Sequence, residues 1–195
     1  MYPALRTFIE SFPSKSQFIF GGPVALVWAW VCLLFAGALK RNLGFKTGYT
    51  RKIFHVLIFS SAVVLQICFG LSLVFVFGLA TSMVIAYALV RGPGNILYEA
   101  IARENDAPNR THFVLVSYFA TLIGGTLSSL LFGPYAVIGY LVAGLGDAAG
   151  EPVGTRWGRH VYATPGFGKT QSFRSIEGSI GVFVSSMAAL LIAFA

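Results

Sequence analysis

Charged side chains are scarce in this sequence, and acidic ones are the scarcest of all. Only 11% of the 195 residues are Asp, Glu, Lys or Arg, whereas an average soluble domain has about 25%. So few charges leave too little polar surface to cover a water-soluble globule. Two cysteines are too few for a disulfide scaffold, and a hydrophobic content of 56% argues against a disordered chain. The composition therefore predicts a membrane protein.

Long stretches without Asp, Glu, Lys or Arg divide the chain into candidate membrane spans. They cover residues 18–39, 53–90, 113–146 and 178–195. One crossing needs roughly 20 apolar residues, so each middle stretch holds two spans, divided at Phe69–Ser72 and at Gly133–Pro134 by turn-forming residues. The stretches are continuously apolar, which argues against a β-barrel. We expect an all-α, polytopic membrane protein with a single membrane domain over residues 1–195. Its six helices are predicted at about 18–39, 53–69, 71–90, 113–132, 134–150 and 178–195.

Basic residues predict which side of the membrane each loop faces. Twelve of the 14 Lys and Arg residues lie in the predicted loops 40–52, 91–112 and 151–177, and the turns near residues 70 and 133 have none. By the positive-inside rule these three loops are cytoplasmic, and both termini lie on the opposite side. This topology explains the net charge of +7 without a nucleic-acid partner. Binding of an anionic ligand on the cytoplasmic face is an alternative that the charge also allows.

Residue types that can hold a metal and a nucleotide gather between residues 146 and 179. Three of the seven acidic residues, Asp147, Glu151 and Glu177, lie there beside basic residues, hydroxyls and glycines. Mg²⁺ takes oxygen ligands, usually one or two carboxylates together with phosphates and water. Arg and Lys neutralise phosphate charge, and glycines let backbone N–H groups approach anions. The segment therefore predicts a metal–nucleotide site, with Asp147 as its functional carboxylate.

Glycines recur every four residues within that segment. They are Gly146, Gly150, Gly154 and Gly158. On a helix they would form a smooth ridge beside a polar ridge. Two interpretations of this ridge stay open: it packs closely against another membrane helix, or it serves the polar site. Pro152 predicts a kink or break in the helix.

A second polar cluster is expected at the mouth of the second span, where Arg51 and Lys52 precede His55. The basic pair can anchor the span at the headgroups. His55 lies one turn further in, where it can be an interfacial histidine, a phosphate donor or a general base. The 91–112 loop is expected to be a solvated amphipathic segment, with Arg91 or Glu99 as minor contributors to the site.

Three blocks of sequence resemble the polyprenol kinase family, which includes dolichol kinases and phytol or farnesol kinases. Residues 51–55 resemble the family's Arg-Lys-x-x-His signature. Residues 146–159 resemble its Gly-Asp-x-x-Ala…Gly-Arg-x-x-Gly block, which phosphatidate cytidylyltransferases share. Residues 174–179 resemble its Lys-Ser-x-Glu-Gly-Ser element, with Arg in place of the Lys. The blocks occur in the family's order and span most of the chain.

The resemblance implies a kinase that transfers the γ-phosphoryl group of CTP, with Mg²⁺, to a long-chain isoprenoid alcohol in the bilayer. It implies catalytic roles for Asp147, His55 and Glu177, and metal binding by Asp147 and Glu151. The residues expected to contact nucleotide or phosphate are Arg51, Lys52, Gly146, Arg156, Arg159, Lys169, Arg174 and Ser175. A homodimer is one oligomeric state that the sequence leaves open.

Two other functions stay open at this point. A phosphatidate cytidylyltransferase would use the same metal and nucleotide to make CDP-diacylglycerol from a phospholipid, releasing pyrophosphate. Such enzymes carry a further Lys-Asp and Gly-His-Gly-Gly block, and this sequence stops before one occurs, which favours a kinase if the chain is complete. A small membrane transporter would scatter acids and bases through its spans, whereas here they crowd at one side.

Overall fold

Long apolar helices make up most of the computed structural model, which describes residues 9–165 and 171–194. The helices in these ranges are α1 (Gly22–Leu43), α2 (Thr47–Phe69), α3 (Leu71–Arg91), α4 (Ile96–Ile101), α5 (Arg110–Phe132), α6 (Ala136–Leu141), α7 (Asp147–Trp157) and α8 (Ile176–Phe194). A π-helical turn, Gln17–Gly21, precedes α1, and another, Val142–Gly146, joins α6 to α7. Strands β1 (Val161–Pro165) and β2 (Gln171–Ser175) form an antiparallel hairpin before α8. The predicted all-α class is confirmed.

Five helical stretches in the described residues are long and apolar enough to cross a membrane. They are Gln17–Leu43, Thr47–Phe69, Leu71–Arg91, Arg110–Trp157 and Ile176–Phe194. The chain is therefore a polytopic integral membrane protein, as its composition predicts. The fourth stretch has 48 residues, more than twice the roughly 20 that one crossing needs. The count of six spans and the side that each loop faces stay predictions.

The long fourth stretch folds back on itself at Gly133–Pro134, where the sequence predicts a turn. Gly133 has φ +54°, a left-handed conformation that favours glycine. Beyond the turn, Tyr140 of α6 shares a hydrogen bond with Ser129 of α5, so the two limbs run side by side in opposite directions. The Nε2 group of buried Gln66 donates to the carbonyl oxygens of Gly133 and Pro134, both at 3.2 Å, and so ties the turn to α2.

The helices extend further into the charged end of the bundle than the charge-free stretches indicate. α1 continues to Leu43, α2 already begins at Thr47, and α7 continues to Trp157. The predicted 40–52 and 151–177 loops are therefore shorter than expected. Lack of charge locates only the apolar part of a span, and these helices continue beyond it.

Pro152 does not break its helix. It lies inside α7, which continues to Trp157. The irregular geometry lies earlier, in the π-helical turn Val142–Gly146. The predicted end of this helix at residue 150 is therefore wrong.

Helix α4, between α3 and α5, is largely buried, which corrects the predicted solvated surface segment there, whereas residues 104–109 are mostly exposed. Leu97, Tyr98 and Ile101 of α4 are almost fully buried, and α4 packs against α1 and α2. Asn95 caps the helix, since its side-chain oxygen accepts a hydrogen bond from the Leu97 N–H at 3.0 Å. The charges of this segment make it look solvated in the sequence, yet Glu99, Arg103 and Glu104 pair with residues of other elements.

The glycine ridge of residues 146–158 packs against α8. A Cβ atom at Gly150 would lie only 2.6 Å from Cγ2 of Val182, and Gly146 is buried beside Ser186. Small residues allow membrane helices to approach this closely. Of the two interpretations of the glycine spacing, helix packing is the one that the structure shows.

α2 runs antiparallel to α6 and α7, and this pairing positions the polar residues. In the middle of the contact Phe59 packs on Gly144, where a Cβ atom would lie 2.7 Å from that of Phe59. About two turns further, Lys52 reaches Asp147. The pairing therefore brings the two polar clusters of the sequence face to face at one end of the bundle.

Gly37 of α1 marks a close backbone contact with α4, and it generates a first prediction. A Cβ atom at this position would lie 2.6 Å from the oxygen of Ile96, a backbone atom that cannot move aside as the end of a flexible side chain can. We expect Gly37→Ala to lower the free energy of unfolding by about 1–3 kcal/mol. Thermal unfolding of the protein in detergent measures this. Gly124→Ala is the control, because its Cβ would meet nothing within 4 Å; equal loss in both variants would contradict the prediction.

Candidate functional site

Two ion pairs join α2 to α7 at the charged end of the bundle. Lys52 Nζ lies 2.6 Å from Asp147 Oδ2, and Arg51 Nη2 lies 3.1 Å from Glu151 Oε2. Asp147 and Glu151 are one helical turn apart, so the pairs lie side by side. Lys52 is buried, whereas 61% of the Asp147 side chain is exposed. The carboxylate of Asp147 can therefore meet a ligand while it neutralises a buried ammonium group.

His55 completes this row one turn further along α2. Its Nε2 atom lies 3.2 Å from the carbonyl oxygen of Ala143 and 3.7 Å from Asp147 Oδ2. A carbonyl oxygen only accepts, so Nε2 carries a proton when it bonds to Ala143. In the neutral ring Nδ1 is then the nitrogen that can accept a proton. Arg51, Lys52, His55, Asp147 and Glu151 are thus brought together as predicted; we call these five residues the charged row.

Glu151 has a second cationic partner that the sequence does not indicate. Arg103, just after α4, places Nη1 3.3 Å from Glu151 Oε1, and its Nε donates to Asp106 Oδ2 at 3.1 Å. Gly48 of α2 leaves room for this carboxylate, because a Cβ atom there would lie 2.6 Å from Glu151 Oε1. Glu151 is therefore held between two guanidinium groups.

A separate network, built around Glu99, fixes α4 to its neighbours. Arg110 donates to both carboxylate oxygens of Glu99, at 2.7 and 3.2 Å. Lys40 Nζ lies 3.3 Å from Glu99 Oε2, 2.6 Å from the hydroxyl of Thr47, and also pairs with Glu104. The hydrogen bond from Arg110 lowers the pKa of Glu99 to about 2. Glu99 thus has a structural role, and it lies outside the charged row.

A polar cavity of about 580 Å³ opens between the start of α2, the segment after α4, and α7. Its lining includes Lys40, Lys46, Tyr49, Arg103, Glu151 and Thr155. Cavities of roughly 300–1,000 Å³ are typical of small-molecule sites. The three cations in this lining were not among the predicted site residues. Basic residues in loops also arise as topology signals, so the sequence alone does not distinguish the two roles. The signal in the sequence that could have indicated this cavity is the group of five cations within residues 40–52.

A second cavity, of about 410 Å³, lies between α2, α5 and the α6–α7 segment. We call it the interhelical cavity; its lining includes His55, Phe59, Thr121, Gly124, Gly139 and Asp147. Its polar end is formed by His55 and Asp147, and the rest is apolar or carries small residues. The polar cavity thus reaches Glu151, and the interhelical cavity reaches Asp147, one turn away on the same helix.

Several predicted site residues lie elsewhere in the structure. Glu177, at the start of α8, is bound by His160, whose Nδ1 lies 2.7 Å from Glu177 Oε1. Ser175 Oγ caps α8 by accepting from the Gly178 N–H at 3.1 Å. The other residues of this set are Gly146, which is buried against α8, Arg156, which stacks on Trp157, and the exposed Arg159 and Arg174. Lys169 lies outside the described residues. Neither cavity above includes Glu177, so the structure does not join it to Asp147 there.

The donor atoms suit a single-carboxylate magnesium site better than a two-carboxylate one. Among the described residues no group of three or more His, Cys, Asp and Glu side chains converges. Asp147 Oδ1 accepts no hydrogen bond from the described residues, and the side chain is largely exposed. Glu151, predicted as the second ligand, is engaged by Arg51 and Arg103 instead. Asp147 therefore fits a cation whose other ligands are phosphate and water.

Comparison with protein-family models, with curated proteins and with solved structures finds no match to this chain. Function therefore has to be argued from the residues and their geometry.

The pairing of Lys52 with Asp147 predicts an asymmetry between two substitutions. Asp147→Asn leaves the buried ammonium without a carboxylate, which costs about 1–3 kcal/mol. Lys52→Met removes the buried charge and leaves an exposed Asp147 that water can solvate, so we expect a smaller loss. Thermal unfolding in detergent compares the two variants. A larger loss in Lys52→Met than in Asp147→Asn would contradict the ion-pair geometry.

The lowered pKa of Glu99 predicts that acid weakens the fold. The carboxylate is ionised in the folded protein down to about pH 2, whereas its usual pKa is 4.5. Its contribution is therefore complete above about pH 4.5 and is lost as the pH falls towards 2. We expect the unfolding temperature to drop over this interval, and Glu99→Gln to reduce that pH dependence. An unchanged pH profile in Glu99→Gln would show that other groups cause the acid sensitivity.

Proposed function

We propose that this protein is a membrane lipid-alcohol kinase that transfers the γ-phosphoryl group of CTP to a long-chain isoprenoid alcohol. One observation carries the proposal: a polar cavity and an interhelical cavity reach neighbouring carboxylates of one charged row. A kinase with a water-soluble donor and a bilayer-soluble acceptor needs such an arrangement. Residues that resemble the polyprenol kinase signatures, Arg51-Lys52-x-x-His55 and Asp147, support it, because they face each other across the α2–α7 contact.

The polar cavity would hold the triphosphate of CTP. Lys46 and Arg103 line it together with Lys40, and such cations neutralise phosphate charge. Tyr49 lies in the same lining, and its ring would stack on the base. Mg²⁺, when bound, would add charge neutralisation at the phosphates, and Asp147 would hold it. These roles replace the phosphate clamp that the resemblance implied for Arg156, Arg159, Lys169 and Arg174, of which Lys169 lies outside the described residues.

The acceptor alcohol would lie in the interhelical cavity with its hydroxyl at the charged row. In the transfer, the hydroxyl oxygen forms a bond to the γ-phosphorus, and the bond from that phosphorus to the β–γ bridging oxygen breaks. CDP leaves with the electron pair, and the lipid becomes a phosphate monoester. The hydroxyl proton passes to Nδ1 of His55. Lys52 orients Asp147 and contributes positive charge, since phosphoryl transfer depends mainly on positioning and on charge stabilisation.

Labelled CTP tests the proposal and separates it from its nearest rival. The protein is reconstituted in liposomes with isoprenols or with phosphatidic acid, and CTP carries label at either the α or the γ phosphorus. A kinase transfers only the γ label to lipid. A cytidylyltransferase transfers only the α label, which would overturn the proposal in favour of CDP-lipid synthesis. Label from neither position would exclude both enzymes, and a transporter would then be the alternative to test.

Asp147→Asn is expected to lower transfer of the γ label by about 100-fold or more, because an amide would be a weak ligand for the Mg²⁺ that Asp147 would hold at the phosphates. His55→Gln is expected to lower the turnover number and to remove the pH dependence that His55 imposes. Glu10→Gln is the matched carboxylate-to-amide control, since it precedes α1 and lies at the end of that helix opposite Lys40. Retention of full activity in Asp147→Asn would contradict the proposed site.

A further inference from the structure

A third cavity adjoins the interhelical cavity on the side away from the charged row. It has a volume of about 340 Å³ and lies between α2, α3 and α5; we call it the α3 cavity. The two cavities share four lining residues, which are Phe59, Thr121, Gly125 and Tyr140. At this border the rings of Phe59 and Tyr140 meet edge to face, with 6.1 Å between their centroids. A path therefore leads from His55 and Asp147, past two aromatic rings, towards α3.

The lining of the path changes along its length. The end at the charged row carries ionisable groups, whereas the α3 cavity is lined mainly by apolar side chains such as Ile58, Val74 and Phe77. Among the polar exceptions, buried Thr81 has a hydroxyl oxygen without a hydrogen-bond partner in the described part of the chain. A polar head and an apolar tail on one molecule match this gradient. A molecule with two tails would need two such paths. The border between these two cavities is a single path.

We infer that the α3 cavity holds the distal part of a single hydrocarbon chain whose terminal hydroxyl lies at the charged row. The first isoprene units occupy the interhelical cavity, and the following units pass Phe59 and Tyr140 into the α3 cavity. This inference rests on the proposed function and extends it. It makes the α3 cavity the part of the protein that distinguishes long acceptors from short ones.

Three glycines allow each cavity to be filled separately. A Cβ atom at Gly78, at Gly124 or at Gly22 would meet nothing within 4 Å, so a side chain can be added without a backbone clash. Gly78 lines the α3 cavity and Gly124 lines the interhelical cavity. Gly22 lines neither of them and is the matched control. Each glycine is replaced by leucine.

Kinetics with isoprenols of two and of four or more isoprene units give the first test. We expect Gly78→Leu to raise the KM for the long alcohol about tenfold, since an apolar pocket distinguishes small differences in filling by such factors, and to leave the short alcohol unchanged. Gly124→Leu should impair both alcohols, and Gly22→Leu neither. An equal effect of Gly78→Leu on both chain lengths, or no effect, would overturn the inference.

Photo-cross-linking gives a second test that does not depend on catalysis. A long-chain primary alcohol with a diazirine near its far end is irradiated with the reconstituted protein, without CTP, and the labelled peptides are identified by mass spectrometry. Label on α3 and the facing part of α5, reduced in Gly78→Leu, supports the inference even if no phosphoryl transfer occurs, in which case only the proposed function fails. Label elsewhere, in a protein that does phosphorylate the alcohol, would overturn the inference alone.

Discussion

The antiparallel contact between α2 and α7 is the constraint on which the candidate site depends. Lys52 is almost completely buried within it, and a buried ammonium group is costly unless a carboxylate neutralises it. Asp147 meets that need at 2.6 Å while keeping most of its own surface exposed. The helices approach closely enough because Gly48 and Gly144 leave room for Glu151 and Phe59. A different register would leave Lys52 without its partner.

Ion pairs account for most of the few acidic residues in the chain. Among the described residues, ion pairs form at Glu99, Glu104, Asp106, Asp147, Glu151 and Glu177. The pair of Glu177 with His160 lies at the start of α8. The other five belong to a network around α4 and to the charged row between α2 and α7, and Arg103 links the two because it contacts both Asp106 and Glu151. The position of α4 is therefore coupled to the geometry of the row, although the two lie far apart in the sequence.

The charged row lies between two cavities of different character. One is lined by cations and opens at the charged end, and the other lies among apolar helices. Both reach α7, where Glu151 and Asp147 are one turn apart. A reaction between a water-soluble phosphate donor and a lipid needs two cavities that meet at one site, because neither reactant dissolves in the medium of the other. The proposed lipid-alcohol kinase would use this geometry to bring its two substrates together.

Much of the helical framework was readable from the sequence alone, including the turn at Gly133–Pro134, because hydrophobicity and turn propensity are properties of short segments. The meeting of the Arg51–His55 cluster with Asp147 was also expected, although from the resemblance. The sequence misjudged the burial of α4, and it grouped Glu177 with Asp147. Only the tertiary structure decided which charges pair, that glycines 146–158 serve packing, and that Arg103 reaches Glu151. Those choices depend on the register between helices, which many side-chain contacts across the bundle determine together.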